Sequence, residues 1–179
     1  MGGCPLFTSR LELQPITLPI VEAVMLGRRA EAEVAIGAKL PVAWPGRALV
    51  ERAFTASLER IRSDPETRLW GDRVVILPGD ERRVVGSVVF HGAPDSRGVV
   101  EIAYGIEEGS QGQGYATEAT LACIEWAFEQ PQVQVVRATT PTWHMASRRV
   151  LEKVGMRHVG MSDHEMLGEL MEWERAKGG

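Results

Sequence analysis

The sequence predicts a single domain built on a mixed α/β sheet that is flanked by helices. Three observations support this fold class. Segments of strand character alternate with amphipathic helical segments, and no repeat or linker interrupts them. Short turns join three successive strand segments, which makes these segments antiparallel neighbours. The chain of 179 residues, 44% of them apolar, is long enough to bury a sizeable core. We therefore expect one domain over residues 1–179.

The first third of the chain predicts one strand and a layer of helices. Leu11 and Leu13 alternate with polar residues, as in a short strand. Pro19 suits the first turn of a helix, where the missing N–H is not needed. The next segment is rich in Ala, Gly and Pro, and is either a second helix broken at Gly37 or a mobile flap. The predicted elements are a strand at 11–13, a helix over Ile20–Arg29, the ambiguous segment 30–47 and an amphipathic helix over Ala48–Ser63.

The rest of the chain predicts most of the sheet. Three strand segments follow one another across turns, and a long amphipathic helix comes next. A valine-rich segment after this helix is predicted as a central strand, and a short helix then stops at Gly155. Two further strands turn near Gly168. The predicted elements are strands at Leu69–Leu77, Arg83–His91 and Val99–Ile106, a helix over Tyr115–Glu129, a strand at Val133–Thr140, a helix over Ala146–Val154 and two strands within Arg157–Arg175.

A turn that contains glycine lies between the third strand and the long helix. It consists of Gln111, Gly112, Gln113, Gly114, Tyr115 and Ala116. Unpaired N–H groups at a helix start and the positive end of the helix dipole attract phosphate, and glycine lets the backbone approach a ligand. The alternative is a turn that only starts a helix. A P-loop is excluded because Lys and Ser or Thr do not follow Gly114, and Thr117 replaces the third glycine of a dinucleotide-binding fingerprint.

The long helix after this turn carries one apolar stripe. Glu118 lies off the stripe and is expected to face water. Cys123 lies on the stripe and Cys4 in a loose N-terminal segment, so neither is placed to carry an acyl group. The residues expected to be buried are Ala116, Thr120, Cys123, Ile124 and Ala127.

Charge and cysteine content limit the partners and the compartment. The net charge of −4 argues against nucleic acid, which binds to basic surfaces. The two cysteines lie far apart and no secretory signal precedes them, so we expect free thiols in the cytoplasm. No uncharged apolar run approaches the ~18 residues that span a bilayer, so no membrane partner is expected.

A strand with a charged residue, a Gln-x-x-Gly-x-Ala turn, a long helix, a strand and a short helix ending in Lys-Val-Gly-Met occur in this order. This order resembles the GNAT superfamily of acetyl-coenzyme A dependent N-acetyltransferases. Within it, the likeness is to the Rim-type branch, which acetylates ribosomal protein N-termini and other amines. The likeness is close from Val84 to Glu174 and loose before it. The motifs that carry it are Glu101–Ile106, Gln111–Ala119, Ala146–Met156 and Gly168–Glu174.

The resemblance implies where acetyl-coenzyme A (acetyl-CoA) binds. In this superfamily the strand before the glycine turn splays from its neighbour, and the pantetheine arm of the cofactor inserts between them. The resemblance implies that main-chain N–H groups of the turn hold the diphosphate and that a freed N–H near Ile106 polarises the thioester carbonyl. We thus expect a mostly antiparallel sheet with splayed central strands. The implied cofactor-binding residues are Ile106, Glu107, Gln111, Gly112, Gln113, Gly114, Tyr115, Ala116, His144 and Ser147.

Three residues are candidates for proton transfer. Glu101 lies mid-strand, where partial burial is expected to raise its pKa so that it accepts a proton from an ammonium; the alternative is an ordinary strand residue facing solvent. Ser147 matches a branch serine near the cofactor sulfur, or only satisfies N–H groups at a helix end. His144 replaces the Asn of the branch's Asn-x-x-Ser motif. Three alternatives are open for it: it keeps the hydrogen bond of the Asn, it titrates as an acid, or it is a surface residue without a role. Val159 stands where the branch often has an acid, which leaves Glu101 as the base.

We interpret the chain as an N-acetyltransferase that uses acetyl-CoA in a ternary complex, without a metal or a covalent enzyme intermediate. The acceptor is an amine, either a protein N-terminus or a small molecule. The alternative function is a degenerate acyl-CoA-binding regulatory module, which the loss of the branch's Asn and acid favours. If the chain associates, a homodimer is the commonest assembly. Trp143, beside His144, is the tryptophan that we expect at the acceptor pocket.

Overall fold

The computed structural model describes residues 3–42 and 57–179. Its strands are β1 (Leu6–Phe7), β2 (Glu12–Pro15), β3 (Arg73–Leu77), β4 (Arg83–Phe90), β5 (Val99–Ile106), β6 (Val135–Pro141), β7 (Arg157–His164) and β8 (Gly168–Ala176). Its helices are α1 (Leu18–Met25), α2 (Arg29–Ile36), α3 (Leu58–Ser63), α4 (Pro65–Arg68), α5 (Tyr115–Glu129) and α6 (Met145–Lys153), with a 3-10 turn at Glu108–Ser110. None of these helices is long and apolar enough to cross a membrane.

The strands form one sheet in the order β1-β2-β3-β4-β5-β6-β8-β7. β5 and β6 pair in parallel, and the other neighbours pair in antiparallel. The parallel pair follows from the chain path, because α5 crosses over between β5 and β6. The prediction of a mixed, mostly antiparallel sheet is therefore confirmed.

The first strands differ from the prediction. The predicted strand around Leu13 is β2, and the additional β1 pairs with it so that Leu6 lies opposite Leu13. A strand of two residues is too short to show a period in the sequence. The strand predicted at Leu69–Leu77 is β3, and its predicted start is wrong. Leu69 is the C-cap of α4, and its carbonyl accepts the N–H of Asp72 in a turn.

The helices at the start of the chain follow their capping residues. Pro19 lies in the first turn of α1, as predicted, although α1 ends four residues before the predicted end. α2 ends at Gly37, which has a φ of 74° and donates its N–H to the carbonyl of Glu33. The second-helix interpretation of this segment is thus correct for its first part, while residues 43–56, including much of the predicted helix 48–63, lie outside the described residues. Ser57 caps α3 with its side chain.

The sheet has a different core on each face. One core joins α5 and α6 to strand residues that include Val100 and Ile102. The other joins α1, α2 and α3 to strand residues, with Ala103 packed against it. Because side chains alternate along a strand, Glu101 lies on the same face as Ala103. Among residues 3–42 and 57–179, the helices on that face lie over β2 to β4. We call the remaining part of the face, over β5, β6, β8 and β7, the open face.

Candidate active site

A gap opens between the two parallel strands at the centre of the sheet. The first three residues of β5 pair with β6, and the last of these pairs joins Glu101 to Arg137. From Ile102 on, β5 pairs with β4, whereas β6 continues beside β8 from Ala138 on. The two strands therefore diverge beyond the Glu101–Arg137 pair, which we call the vertex of the gap. This confirms the splayed central strands that the resemblance implied.

Hydrogen bonds at the two ends of β5 show which main-chain groups face the gap. Glu101 accepts the N–H of His91 at 2.9 Å, and Glu107 donates its N–H to the carbonyl of Val85 at 2.8 Å. Odd-numbered residues of β5 therefore bond to β4, and the N–H of Ile106 points into the gap. The carbonyl of Ile106 accepts the side-chain amide of Gln111 at 3.0 Å. The cofactor-binding role of Glu107 that the resemblance implies stays a prediction; the main-chain carbonyl of this residue accepts the N–H of Ser110 at 3.0 Å.

The glycine turn places the start of α5 at the wide end of this gap. Gly112 and Gly114 have φ angles of 76° and 82°, which favour glycine. The first intrahelical bond of α5 runs from Glu118 N–H to the carbonyl of Gly114, so the N–H groups before it have no helical partner. No side chain among the described residues caps this helix. A Cβ on Gly112 would project into open space, with no atom of the described residues within 4 Å. The turn thus offers an uncovered group of main-chain donors to an anion.

Arg10, which the sequence analysis did not identify, holds this turn in place. Its guanidinium donates to the carbonyl of Gln113 at 2.8 Å and lies over the ring of Tyr115 at 4.8 Å. It also bonds to Glu118 through Nε at 2.7 Å and Nη2 at 2.6 Å. Thr8 adds a hydrogen bond of 2.5 Å to the same carboxylate. The β1–β2 connection therefore fixes both the last residues of the turn and the first turn of α5.

Glu118 does not face water as predicted. Its side chain is only 17% exposed, because the β1–β2 connection covers it. Burial raises the pKa of this carboxyl, but the hydrogen bonds from Thr8 and Arg10 together outweigh it, and the net direction is downward. Ala119 is buried on the helix stripe, and the predicted Ala116 is only half-buried.

Glu101 lies at the vertex of the gap with His91 beside it. Its Oε1 is 3.5 Å from Nδ1 of His91, and its side chain is 38% exposed. The expected rise in the pKa of Glu101 is wrong in direction. The hydrogen bond with His91, the charge of Arg137 and a hydrogen bond with Thr139 outweigh burial and lower the pKa of this carboxyl. Glu101 is therefore ionised at neutral pH and is a weak base.

A row of alternating charges crosses the open face at the level of the vertex. Arg137 lies opposite Glu101 on one side and Glu174 on the other, and its Nη2 is 2.5 Å from Oε1 of Glu174. The hydrogen bond with Glu174 raises the pKa of Arg137. Arg157 on the edge strand lies opposite Glu174. The charge of Arg137 thus lies between two carboxylates.

The predicted residues of α6 lie beside Tyr104 of β5. His144 is the N-cap of α6, and its Nδ1 accepts the N–H of Ser147 at 3.4 Å. The hydroxyl of Tyr104 lies 3.0 Å from Oγ of Ser147 and donates to the carbonyl of Ser147 at 3.1 Å. Tyr104 therefore connects β5 to the helix that follows β6. Trp143 stacks on the ring of His144 and is 70% exposed.

This arrangement of strands, turn and helix is matched by a known family. The family model described as an acetyltransferase (GNAT) domain matches residues 10–157. The chain belongs to the GNAT acetyltransferases. The family predicted from the motifs is thus confirmed, and with it the prediction that the chain is an acetyl-CoA-dependent N-acetyltransferase.

Proteins similar to this GNAT chain include one from Bacillus subtilis and one from Vibrio fischeri. The uncharacterized N-acetyltransferase YjdG of Bacillus subtilis is 29% identical over 148 residues, which cover 83% of this chain and 86% of the relative. The ribosomal-protein-S5-alanine acetyltransferase from Vibrio fischeri has a similar structure, with a TM-score of 0.67, 14% identity and 98% of each chain covered. RimL, a ribosomal L7/L12 alpha-N-protein acetyltransferase solved with coenzyme A, has a TM-score of 0.60 and 15% identity, with 94% of this chain and 95% of that one covered. The GNAT chain thus has the fold of Rim-type enzymes.

The cysteines of this GNAT chain lie as the sequence predicted. Cys123 is buried on α5, and burial raises the pKa of its thiol to about 12. Cys4 is exposed in the N-terminal segment. A buried thiol of this kind is not a nucleophile at neutral pH, so Cys123 cannot act as an acyl carrier.

Proposed function

We propose that this GNAT enzyme transfers the acetyl group of acetyl-CoA to a primary amine by direct attack within a ternary complex. The observation that carries the proposal is the gap between β5 and β6, with the uncovered N-terminus of α5 at its wide end and ionisable side chains at its vertex. Acetyl-CoA supplies the acetyl group in activated form as a thioester. The burial of Cys123 supports direct transfer, because a thiol that acetyl-CoA cannot reach does not take up the acetyl group.

The residues at the wide end of the gap fit the cofactor. The N–H groups of residues 112–116 would hold the diphosphate, because the open space at Gly112 leaves room for it and the dipole of the 15-residue helix α5 favours an anion there. The N–H of Ile106 would donate to the pantetheine arm, and the thioester would lie further along the gap, towards the vertex. Arg10 adds positive charge behind the turn. Tyr104 and Ser147 would supply the proton that the departing sulfur requires.

The open face supports an amine as the acceptor. The ionised Glu101 lies at the vertex, and Glu172, two residues before Glu174 on β8, lies on the same face opposite Thr139 of β6. Such carboxylates attract an ammonium group and disfavour an anionic acceptor. The open strands β6, β8 and β7 are compatible with a protein N-terminus as well as with a small amine.

Calorimetry with two matched glycine variants tests the cofactor site. Gly112→Ala and Gly168→Ala place a methyl group at residues of nearly equal φ, 76° and 72°, and neither Cβ meets an atom of the described residues within 4 Å. Both variants should lose about 1 kcal/mol of stability, because an L-residue is strained in this conformation. Only Gly112→Ala should weaken the binding of coenzyme A, by at least about tenfold. Equal affinity in the two variants would contradict the assignment of the turn.

Thiol release with a panel of amines tests the reaction. The panel contains peptides with free N-termini, polyamines and amino acids, and the same peptides with blocked N-termini serve as controls. We expect turnover that depends on a free primary amine. Binding of acetyl-CoA without turnover on any amine would favour the acyl-CoA-binding module instead.

A further inference from the structure

His91 is fixed at the vertex of the gap by two contacts with the same residue. It directly follows β4, and its main-chain N–H donates to the carbonyl of Glu101 at 2.9 Å. Its Nδ1 lies 3.5 Å from Oε1 of Glu101, and its side chain remains 29% exposed. The imidazole is thus held against the carboxylate while part of the ring stays accessible from the open face.

We propose that His91 accepts the proton that the acceptor amine must lose, and that Glu101 is the residue that orients it; the inference rests on the proposed function. We assign the imidazole proton of neutral His91 to Nδ1, because the carboxylate that faces this nitrogen at 3.5 Å can only accept a hydrogen bond. The lone pair of neutral His91 is then on Nε2. An aspartate that fixes the tautomer of a catalytic histidine in this way is the logic of the serine protease triad.

The charges around the pair support this division of roles. The hydrogen bond with His91 and the charge of Arg137 on β6 lower the pKa of the Glu101 carboxyl, which makes this carboxylate a poor proton acceptor. Imidazole changes charge near neutral pH and so takes a proton from an ammonium at a smaller cost than an ionised carboxylate does. The next carboxylate along the row, Glu174, is bonded to Arg137.

In the part of the chain that the structure describes, polar groups of the other neighbouring elements bond to partners other than the side chain of His91. From α4, the carbonyl of Thr67 accepts the N–H of Ala93. Directly before β3, the carboxyl of Asp72 is buried and accepts the N–H of Phe90 at 2.7 Å. Glu172 lies further along the open face, beyond β6. Glu101 is therefore the carboxylate placed to orient His91.

The proposed step balances as follows. The ammonium of the acceptor gives one proton to Nε2 of His91, directly or through a water molecule. Its nitrogen then forms the bond to the acetyl carbon as the bond from that carbon to sulfur breaks. The second proton lost by nitrogen ends on the sulfur, on the side of Tyr104 and Ser147. His91 returns its proton to solvent, so that the products are the amide, the free thiol and one proton.

Rate profiles of three variants against pH test the role of His91. At saturating acetyl-CoA, kcat/KM for the best amine should rise with pH in the wild type. At neutral pH, His91→Gln should lose about a hundredfold in rate, and its limb should move to higher pH, where the acceptor ammonium loses its proton without help from a side chain. Glu101→Gln should lose less rate and move the limb to lower pH. His158→Gln is the matched control. His158 lies on the edge strand β7, where its ring bonds to the carbonyl of Gly160, so this variant should keep the wild-type profile. Calorimetry should give the same affinity for coenzyme A in all variants.

Nitrogen-15 spectra of the imidazole rings give a second readout that needs no turnover. We expect neutral His91 to carry its proton on Nδ1, and Glu101→Gln to change the ratio of tautomers while the ring of His158 is unaffected. The inference would be overturned if His91→Gln kept the wild-type dependence of kcat/KM on pH, or if neutral His91 in the wild type carried its proton on Nε2. Either result would leave the proposed function unaffected. A wild type that binds coenzyme A and acetylates no amine would overturn both.

Discussion

Replacing Arg10 by Gln tests whether the β1–β2 connection preorganises the cofactor turn. The guanidinium bonds to the carbonyl of Gln113, stacks on Tyr115 and makes two contacts with Glu118. Gln keeps part of the side-chain stem and one amide donor but loses the charge and the fork. The variant should therefore fold, with a turn that is no longer held from behind.

The size of the effect follows from these contacts. Arg10 is 46% exposed, so its ion pair with Glu118 contributes about 0.5–1 kcal/mol. The charged hydrogen bond to Gln113 and the stacking on Tyr115 bring the total to about 2 kcal/mol. For a domain of this length we expect the melting temperature to fall by about 5 °C. The contacts of Arg10 with Gln113 and Tyr115 hold the turn and therefore affect binding. We expect about tenfold weaker affinity for coenzyme A, which corresponds to about 1.4 kcal/mol of binding free energy.

Calorimetry with coenzyme A and thermal unfolding measure the two effects separately. Arg62→Gln is a matched control, because Arg62 makes a similar ion pair of 2.6 Å with Glu22 at similar exposure, between α3 and α1. The control should lose stability but keep its affinity for coenzyme A. An Arg10→Gln variant whose affinity falls no more than that of the control would refute the preorganisation of the turn.

Two further predictions concern buried and bridging groups. Burial raises the pKa of Asp72 well above its usual value, so the folded carboxyl keeps its proton at a pH where the unfolded one has lost it. The resulting stability is full below about pH 4 and is lost as the pH rises towards the folded pKa. The free energy of unfolding of Asp72→Asn, measured in urea, should therefore rise relative to that of the wild type between pH 5 and pH 8. A difference between the two proteins that does not change with pH would contradict the raised pKa. Tyr104→Phe removes the hydroxyl that bonds to Ser147. It should lower kcat about tenfold and leave affinity for coenzyme A unchanged, and a variant of Tyr104 with normal kcat would exclude it from proton donation.

The elements around the cofactor could be predicted from sequence because their signals are local. β5 and α5 have the residue bounds that the strand and helix periods predicted. The glycine turn was recognisable since Gly112 and Gly114 supply positive φ angles that other residues rarely adopt. The hairpin of β7 and β8 turns close to Gly168, again at a positive φ.

The contacts that complete the site could not be read from sequence in the same way. Arg10 and Glu118 are 108 residues apart, and each looks like an ordinary polar residue in its own segment. Glu118 does lie off the apolar stripe, but the β1–β2 connection covers it. For Glu101, partial burial alone predicts a raised pKa, and the sign reverses because His91 from the neighbouring strand bonds to the carboxylate. Pairing of strands, which sequence periods do not specify, decides these outcomes.

The departures from the Rim-type motifs do not by themselves imply a degenerate site. His144 replaces the motif's Asn, yet its Nδ1 accepts the N–H of Ser147, which is the capping role that an Asn side chain fills at a helix start. Val159 replaces an acid, but Glu172 of β8 lies opposite the adjacent Gly160, and its carboxylate is 3.4 Å from where a Cβ on Gly160 would lie. A negative charge thus remains at this part of the open face although it comes from a different strand. In both cases a different residue supplies the chemical group, a hydrogen-bond acceptor at the start of α6 and a carboxylate on the open face. Because both groups are still present near the site, the substitutions favour an enzyme over a module that only binds acyl-CoA.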